Sequence, residues 1–300
     1  DCLSPTLFAI FINDLAIEIK QSNICVKLDE NLAINILLYA DDIVLLAENE
    51  EDLQSLIFIV ECWCKKWRLE VNLTKTNIMH IRTNRKQQSK FMFIFDMQPV
   101  PYCTAYKYLG ANINEFLNYN FTAECLADSA GRALSSIITK MIKNGGFPFN
   151  VYSVLYDACV TSISDYASEI MGYTQYDSTV QLHTRAIRAY LGLPKNSCSV
   201  GVQSEVDWLL PEYRTQMKMV RQYNRIVSMD DSRLTKQIYM WDRSINDSNT
   251  ISSWSSEVKN IFYSCNLNST YDANRPFSLK CILTAMRQKL KTDQAEYLKK

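Results

Sequence analysis

Hydrophobic and polar residues follow one kind of pattern in the first third of the chain and another in the rest. Residues 34–47 hold two apolar runs, rich in β-branched residues, that meet at Tyr39-Ala40-Asp41-Asp42. Apolar runs of this length on either side of turn-forming residues predict a β-hairpin. Aspartate suits the bend because it tolerates turn geometry. Two adjacent carboxylates are therefore expected at the tip of a hydrophobic hairpin.

Helical periodicity flanks this hairpin on both sides. Ser4 and Pro5 predict a helix start, since serine can cap free amides and proline fits the first helical position. Because that helix is apolar nearly all round, we expect it to be buried on several sides. Glu48 or Asn49 caps a second predicted helix over residues 50–67. Its apolar stripe has helical spacing, so we expect it to cover the hairpin face opposite the carboxylates.

Three further strand regions follow the second helix. We predict strands over Asn77–Arg82, Phe91–Phe95 and Tyr106–Ile113, with a basic loop over residues 83–90 and two prolines that break the run before the third. Gly110 lies inside the third region, where a glycine often marks the close approach of another backbone or of a ligand.

From Ile113 onward the pattern is helical. An amphipathic stripe runs from Leu126 to Met141 and is broken at Gly145-Gly146. Further helices are predicted over Val151–Ser164, Ser178–Leu191, Glu212–Met229, Trp254–Tyr263 and Ser278–Lys299. Residues 230–250 are polar and weakly patterned, so we predict a loop-rich segment there. The patterns together predict an α+β first part followed by an all-α remainder.

Length and composition are those of a globular protein. Three hundred residues, 47 % hydrophobic and 21 % charged, suffice for one large or two ordinary domains. No apolar run reaches the ~18 residues of a membrane span, and no signal peptide opens the chain. The ten cysteines lack a framework spacing, as in the reduced thiols of an intracellular protein of the nucleus or cytoplasm. Since the chain starts at Asp1 and not at Met, we expect a fragment that lacks an N-terminal part.

The charges are unevenly distributed, although the net charge is zero. Residues 41–61 contain seven acids and no Lys or Arg, whereas residues 65–90 contain eight Lys or Arg and one acid. An acidic block beside a basic block suits a metal centre next to a phosphate track. Solvated helix faces would give the same alternation, so both interpretations stay open at this point.

Asp41 and Asp42 are the candidate metal ligands. Neighbouring carboxylates repel each other when both are ionised, and a divalent cation relieves that repulsion. The flanking Ile, Leu and Val residues lower the local dielectric and strengthen the conflict. The alternative is a solvated turn whose acids keep the hairpin tip soluble.

Four motifs stand along the first part of the chain: Leu3-Ser4-Pro5 with Leu7-Phe8, then Tyr39-Ala40-Asp41-Asp42, then Asn72-Leu73-Thr74-Lys75-Thr76, then Tyr108-Leu109-Gly110. In this order they resemble the reverse transcriptases of LINE-type (non-LTR) retrotransposons over roughly the first 115 residues. The resemblance implies a polymerase palm over residues 1–115, an antiparallel sheet packed by helices and truncated at its N-terminus. It further implies an all-α thumb over residues 116–195 and a helical extension over residues 196–300.

The resemblance implies a role for each matching residue. Asp41 would bind two Mg²⁺ ions, with Mn²⁺ as an alternative, and Asp42 would complete or tune the site. Lys75 would be the general acid for the leaving group or a phosphate contact. The remaining matches would shape the site or position its substrates: Ser4 and Pro5 shape it, Tyr39 lines the nucleotide, and Tyr108, Leu109 and Gly110 position the primer end.

The implied activity is that of an RNA-directed DNA polymerase that uses an RNA template, a DNA primer and deoxynucleoside triphosphates. No membrane is involved, and nothing identifies a protein partner. The family has a further metal-binding aspartate upstream of the opening helix, so we expect this piece alone not to polymerise. Two alternatives stay open. One is a catalytically dead remnant that binds RNA or DNA through a basic track of Arg82, Arg85 and Lys86. The other is a helical protein-interaction module.

Overall fold

The computed structural model describes residues 3–30, 32–171, 175–248 and 253–297, without the side chains of residues 246–248. The chain divides into two compact units: the first comprises Asp1–Tyr106 and Asn114–Leu117, and the second comprises Lys107–Ile113 and Asn118–Lys300. Short antiparallel hairpins are followed by a long helical region. The predicted α+β class is therefore confirmed.

The first unit contains two long helices and most of the strands. Its elements are α1 (Ser4–Gln21), β1 (Val26–Asp29), β2 (Leu32–Ile34), β3 (Ile36–Tyr39), β4 (Asp42–Leu45), α2 (Glu50–Trp67), β5 (Phe93–Phe95) and β6 (Gln98–Val100). At the boundary between the units lie β7 (Ala105–Tyr108) and β8 (Ala111–Asn114). In the described residues, the eight strands form four two-stranded sheets, each made of consecutive strands. The predicted antiparallel strands are thus present as separate hairpins.

The first helix is buried along one face and exposed on the rest. Its buried residues are Ile12, Leu15 and Ile19. By contrast, Ile10 is 66 % exposed and Leu7 is 55 % exposed. Leu3 occupies the N-cap position, and no side chain caps the helix there. The predictions of a Ser4 cap and of burial on several sides were therefore wrong, because within the first unit α1 packs along one side, against α2.

The second helix forms as predicted. Asn49 caps it, and the Asn49 side-chain oxygen accepts a hydrogen bond from the Asp52 amide at 2.8 Å. Acidic residues in the first turn and lysines in the last turn complement the helix dipole. The buried stripe consists of Leu56, Ile57, Val60, Trp63 and Cys64. Together with the buried face of α1, this stripe forms the core of the first unit.

The β3–β4 hairpin lays one face on that core. Its register pairs Tyr39 with Asp42, the last residue of β3 with the first of β4. The face that packs against the core carries Ile36, Leu38, Ile43 and Leu45. Because side chains alternate along a strand, Tyr39 and Asp42 share the opposite face. The prediction that α2 covers the hairpin face opposite the Asp42 carboxylate is therefore confirmed.

The strands predicted after α2 are shorter than expected. Residues 77–82 contribute an isolated parallel bridge between Ile78 and Tyr102 and no regular strand. The strand predicted over Phe91–Phe95 begins only at Phe93. Both predictions overestimated the strand content, because apolar alternation marks a half-buried face whether or not a partner strand is present.

Of the two prolines predicted to break the run, Pro101 directly follows the end of β6, but Pro99 does not end a strand. Pro99 lies within β6, opposite Ile94 of β5. The Ile94 amide and carbonyl are each bonded at 2.8 Å to the side-chain amide of Gln54 on α2. Since Ile94 satisfies its backbone groups through Gln54, Pro99, which lacks an amide hydrogen, is tolerated opposite it.

The second unit is mainly helical. Its helices are α3 (Tyr119–Lys143), α4 (Phe149–Tyr156), α5 (Ser162–Ser164), α6 (Ser168–Met171), α7 (Asp177–Leu191), α8 (Ser199–Ser204), α9 (Pro211–Val227), α10 (Leu234–Ser248), α11 (Trp254–Ser264), α12 (Asn268–Asp272) and α13 (Leu279–Tyr297). A π-helical turn, Asp157–Thr161, joins α4 to α5. No described helix combines the length and apolar character that crossing a bilayer requires.

Helix α10 contradicts the loop predicted over residues 230–250. Its buried Tyr239 is only 3 % exposed, and polar neighbours hide this anchor in the sequence pattern. Residues 249–250 lie outside the described residues, as do residues 298–299 at the end of the last predicted helix. The other predicted helices are confirmed to within a few residues.

Two hydrophobic clusters organise the second unit. One joins α3, α4 and α7 around Tyr152, Tyr156 and Leu134. Trp208 packs against it, stacked on the Tyr156 ring at 4.3 Å between centroids. The other cluster joins α9 to α10, α11, α12 and α13 around Tyr223 and Phe262. Helix α9 therefore takes part in this apolar cluster and, through Arg214, in a buried polar cluster with Asp165 and His183.

A buried polar cluster fixes α9 against the segment that follows α5. Arg214 donates from Nε and Nη2 to the two Asp165 carboxylate oxygens at 3.0 and 3.1 Å. His183 Nδ1 lies 3.0 Å from the Tyr156 hydroxyl and 3.4 Å from Arg214 Nη1. Because a guanidinium group can only donate, Nδ1 is the acceptor and the proton of the neutral ring resides on Nε2. Burial alone would raise the pKa of Asp165, but Arg214 outweighs that effect and holds it below its usual value.

The buried His183 predicts acid sensitivity between about pH 6.5 and pH 3. Burial, and then the charge of Arg214, lowers the pKa of His183 to about 3. The unfolded chain therefore binds more protons than the folded chain in this window. The stability contribution of neutral His183 is present above about pH 6.5 and is lost as the pH falls. The measurement is the melting temperature of His183→Asn and of the unsubstituted chain across this range.

We expect His183→Asn to flatten the decline of the melting temperature on acidification, because the group that takes up the proton is gone. An equally steep decline in His183→Asn and in the unsubstituted chain would contradict the assignment.

Candidate functional site

The candidate carboxylates occupy the turn of the β3–β4 hairpin. Ala40 and Asp41 connect Tyr39 to Asp42, and both acids are exposed. Ala40 has a φ of +50°, a left-handed conformation that costs a non-glycine residue about 1 kcal/mol. A positive φ is typical of the two-residue loops that connect β-hairpins. The turn presents both carboxylates to solvent, where a cation can reach them.

The donor chemistry of this turn suits a hard divalent cation. Mg²⁺ is commonly held by one or two carboxylates and completes its shell with water and substrate phosphates. Asp41 and Asp42 provide that donor set. Across the described ranges, no group of three or more His, Cys, Asp or Glu side chains is arranged to hold a metal ion. The pair fits a cation shared with a substrate and does not form a closed structural metal site.

Lys75 lies exposed in a turn organised by Asn72. The Asn72 side-chain oxygen accepts hydrogen bonds from the Thr74 amide at 3.1 Å and from the Thr74 hydroxyl at 2.6 Å. The Tyr106 hydroxyl donates to the Lys75 carbonyl at 3.1 Å. These bonds hold the backbone of the turn and leave the Lys75 side chain exposed to solvent.

Arg82 belongs to a buried ion pair. It donates from Nη2 to Glu115 at 2.9 Å and from Nη1 to the Lys86 carbonyl at 2.8 Å. The guanidinium group also lies 4.7 Å from the centre of the Phe116 ring, and the Arg82 side chain is 11 % exposed. These contacts within the protein account for the position of the Arg82 side chain without a bound nucleic acid. Arg85 and Lys86 are the exposed cations among the three predicted for the basic track.

Tyr108, Leu109 and Gly110 form the end of β7 and the turn into β8, within the second unit. The single strand predicted over Tyr106–Ile113 is therefore a hairpin. Leu109 and Gly110 have φ angles of +46° and +89° and reverse the chain. The Tyr166 hydroxyl donates a hydrogen bond to the Leu109 carbonyl. A Cβ atom on Gly110 would lie 3.2 Å from the Tyr166 ring, so both the backbone angle and this close contact favour glycine.

The structure brings some of the predicted residues together and leaves others apart. The hairpin turn makes Asp41 and Asp42 neighbours on its exposed tip. Ser4 and Pro5 lie exposed in the first turn of α1. In the described part of the chain, no ion pair joins Lys75 to either carboxylate. The hairpin turn therefore brings Asp41 and Asp42 of the predicted site together, without an ion pair to Lys75 among the residues described.

Tyr166 is the residue that pattern analysis missed. Its hydroxyl reaches a carbonyl 57 residues away in the sequence. Its neighbour Asp165 is held by Arg214, and the following residue, Ala167, has a φ of +55°. Hydrophobic spacing carries no signal for a contact over such a distance.

Comparison with known proteins gives a match over the same part of the chain. Residues 1–113 match the family model of reverse transcriptase (RNA-dependent DNA polymerase). The reverse transcriptase match contains every candidate residue from Ser4 to Gly110 and ends before α3. Neither a curated protein nor a solved structure matches the chain significantly.

We predict that Gly110→Ala lowers the free energy of unfolding by about 2 kcal/mol or more. The left-handed backbone costs alanine about 1 kcal/mol, and the tight contact with Tyr166 adds a further 1 kcal/mol or more. Gly146 is the matched control, because it has a φ of +109° and a Cβ atom there would meet nothing within 4 Å. Urea unfolding followed by circular dichroism provides the measurement.

A double-mutant cycle separates the two contributions. In a Tyr166→Ala background, Gly110→Ala should cost no more than Gly146→Ala, because the ring that it meets is absent. Equal losses for Gly110→Ala and Gly146→Ala in the unsubstituted background would show that the Tyr166 contact has no effect on the turn.

Proposed function

We propose that this chain is part of an RNA-directed DNA polymerase, the reverse transcriptase of a non-LTR retrotransposon. The observation that carries the proposal is the family match over residues 1–113, which includes an exposed Asp41–Asp42 pair on a hairpin packed against the core. The order of the four motifs supports the non-LTR subfamily. In this proposal, residues 1–115 are a palm, residues 116–195 a thumb and the remainder a helical extension.

Asp41 and Asp42 would hold the Mg²⁺ ions of the reaction, with Mn²⁺ as an alternative. When bound, the ions supply the positive charge that two-metal nucleotidyl transfer requires at the attacking and leaving oxygens. Tyr39 shares the exposed hairpin face with Asp42 and lines the deoxynucleoside triphosphate. The exposed Lys75 ammonium contacts the triphosphate or gives a proton to the leaving pyrophosphate.

The remaining candidates act on the nucleic acid or shape its site. Ser4 and Pro5 shape the site at the start of α1. The turn at Leu109 and Gly110, together with Tyr108, positions the primer end. A further carboxylate that the described residues do not bring to the hairpin would complete the metal site, as the family resemblance implies.

Binding of nucleic acid without polymerisation is the second candidate function. It is favoured by the exposed side chains of Arg85 and Lys86 in the loop that Arg82 holds in place. Exposed cations of this kind contact phosphates without reading sequence. A catalytically dead remnant would retain this binding but would not extend a primer. Its affinity for nucleic acid would fall as the salt concentration rises.

Primer extension tests the proposal. A protein that contains this chain together with the further carboxylate is expected to extend a DNA primer on an RNA template in the presence of Mg²⁺. Asp41→Asn should lower the rate by 100-fold or more, because electrostatic stabilisation of the reacting oxygens is lost. The matched control is Asp128→Asn, which removes an exposed aspartate of α3 and should leave the rate unchanged.

The outcomes separate the two candidate functions. Extension that is equal in Asp41→Asn and in the unsubstituted protein would contradict the catalytic role of the hairpin. No extension by the unsubstituted protein, with retained salt-dependent binding of nucleic acid, would establish the dead remnant.

A further inference from the structure

Helix α9 carries a line of positive charge along one face. Arg214, Lys218, Arg221 and Arg225 follow one another at spacings of four, three and four residues. Residues at these spacings lie on one side of an α-helix. The last three span about 10 Å of helix axis, the rise of about three nucleotides in one strand of a duplex. The line therefore has a length suited to successive phosphates.

An open cleft lies along this face of α9 within the second unit. Its second wall is the segment around α5 and α6, and the residues that line the cleft are Ser162, Asp165, Tyr166, Ala167, Glu169, Lys218, Arg221, Gln222 and Arg225. This wall has unusual backbone geometry, since it follows the π-helical turn and contains Ala167 in the left-handed region. Such irregular backbone is frequent at functional sites.

Positive charge prevails in the cleft. Asp165 is already shared between Arg214, at 3.0 Å, and Lys218, at 3.7 Å. Glu169 is the other acid of the lining, opposite the exposed Arg221 and Arg225. Among the described residues, no ion pair engages either of these two arginines. Their guanidinium groups therefore face solvent with charge that the protein does not neutralise.

Tyr166 connects the cleft to the β7–β8 turn. It lines the cleft, and its hydroxyl binds the Leu109 carbonyl. The same ring lies against Gly110. A chain of nucleotides that passes the turn would therefore meet the cationic face of α9 next.

We propose that this cleft binds the sugar–phosphate backbone of a nucleic acid, with Arg221 and Arg225 as phosphate contacts, while Lys218 is held by Asp165 through its carbonyl at 2.8 Å and its carboxylate at 3.7 Å. The inference rests on the proposed polymerase function and extends it to residues outside the reverse transcriptase match. Arginine suits this task because its planar group donates two parallel hydrogen bonds to one phosphate. Contacts of this kind give affinity and register without sequence preference.

The test measures binding of a fluorescein-labelled RNA–DNA heteroduplex to the whole chain by anisotropy over a series of salt concentrations. Arg221→Glu/Arg225→Glu should weaken binding by at least tenfold at about 0.1 M salt. The slope of log affinity against log salt should fall in magnitude by about 2, since each lost phosphate contact removes about 1. Arg233→Glu/Arg275→Glu is the matched control: it makes the same change of charge at exposed positions outside the cleft.

Equal weakening by the two double variants would overturn the proposal, since it would show a response to net charge alone. Competition by polyglutamate as effective as that by unlabelled heteroduplex would also overturn it, in favour of an acidic-peptide site. Arg221→Gln/Arg225→Gln serves if charge reversal prevents folding, and it should reproduce the smaller slope. Melting curves of all variants monitor the fold.

Failure of this inference and failure of the polymerase proposal are distinguishable. The α9 variants are scored by heteroduplex binding, whereas Asp41→Asn is scored by primer extension. A loss of binding in the α9 variant, with extension unaffected by Asp41→Asn, would keep the cleft and remove the polymerase assignment. The reverse pattern would remove the cleft alone.

Discussion

The register of the β3–β4 hairpin is the constraint on which the candidate site depends. Leu38 and Ile43 lie opposite each other on the face that packs against α1 and α2, and Tyr39 and Asp42 lie opposite each other on the other face. A slip by one residue would turn the Asp42 carboxylate toward the core and an aliphatic side chain toward water. Burial of an unpaired charge costs several kcal/mol or more, so the hydrophobic face fixes where the acid points.

In the second unit, a buried ion pair likewise fixes the position of a candidate residue. The Arg214–Asp165 pair is buried, and such pairs contribute little net stability because desolvation offsets the attraction. Its effect is positional: it holds the segment that carries Tyr166 against α9. Tyr166 then supports the β7–β8 turn through the Leu109 carbonyl. The proposed phosphate cleft and the proposed primer-positioning turn thus share one anchor.

Sequence patterns predicted those parts of the structure that local periodicity determines. Helix α2 has a clean stripe and an Asn49 cap, and the β3–β4 hairpin has strong apolar flanks, so both formed as expected. Motif order also predicted the similarity to reverse transcriptases that is found over residues 1–113.

The errors arose where a distant side chain decides the outcome. Pro99 remains in a strand because Gln54 of α2 bonds the backbone opposite it. Arg82 looked like a free cation of a basic loop, yet Glu115 pairs with it across 33 residues. Tyr166 gave no local signal, because its partner carbonyl lies 57 residues away. Contacts of this range depend on the packed fold, which periodicity does not encode.

We propose that the exposed tip of the β3–β4 hairpin binds a divalent cation. Paramagnetic broadening of backbone amide NMR signals by Mn²⁺ tests it in the chain as it stands. Substoichiometric Mn²⁺ is expected to broaden the signals of residues 40–43 first, and Asp42→Asn should remove this effect. Broadening that appears first at the other acids of residues 48–52, or that survives Asp42→Asn unchanged, would contradict it.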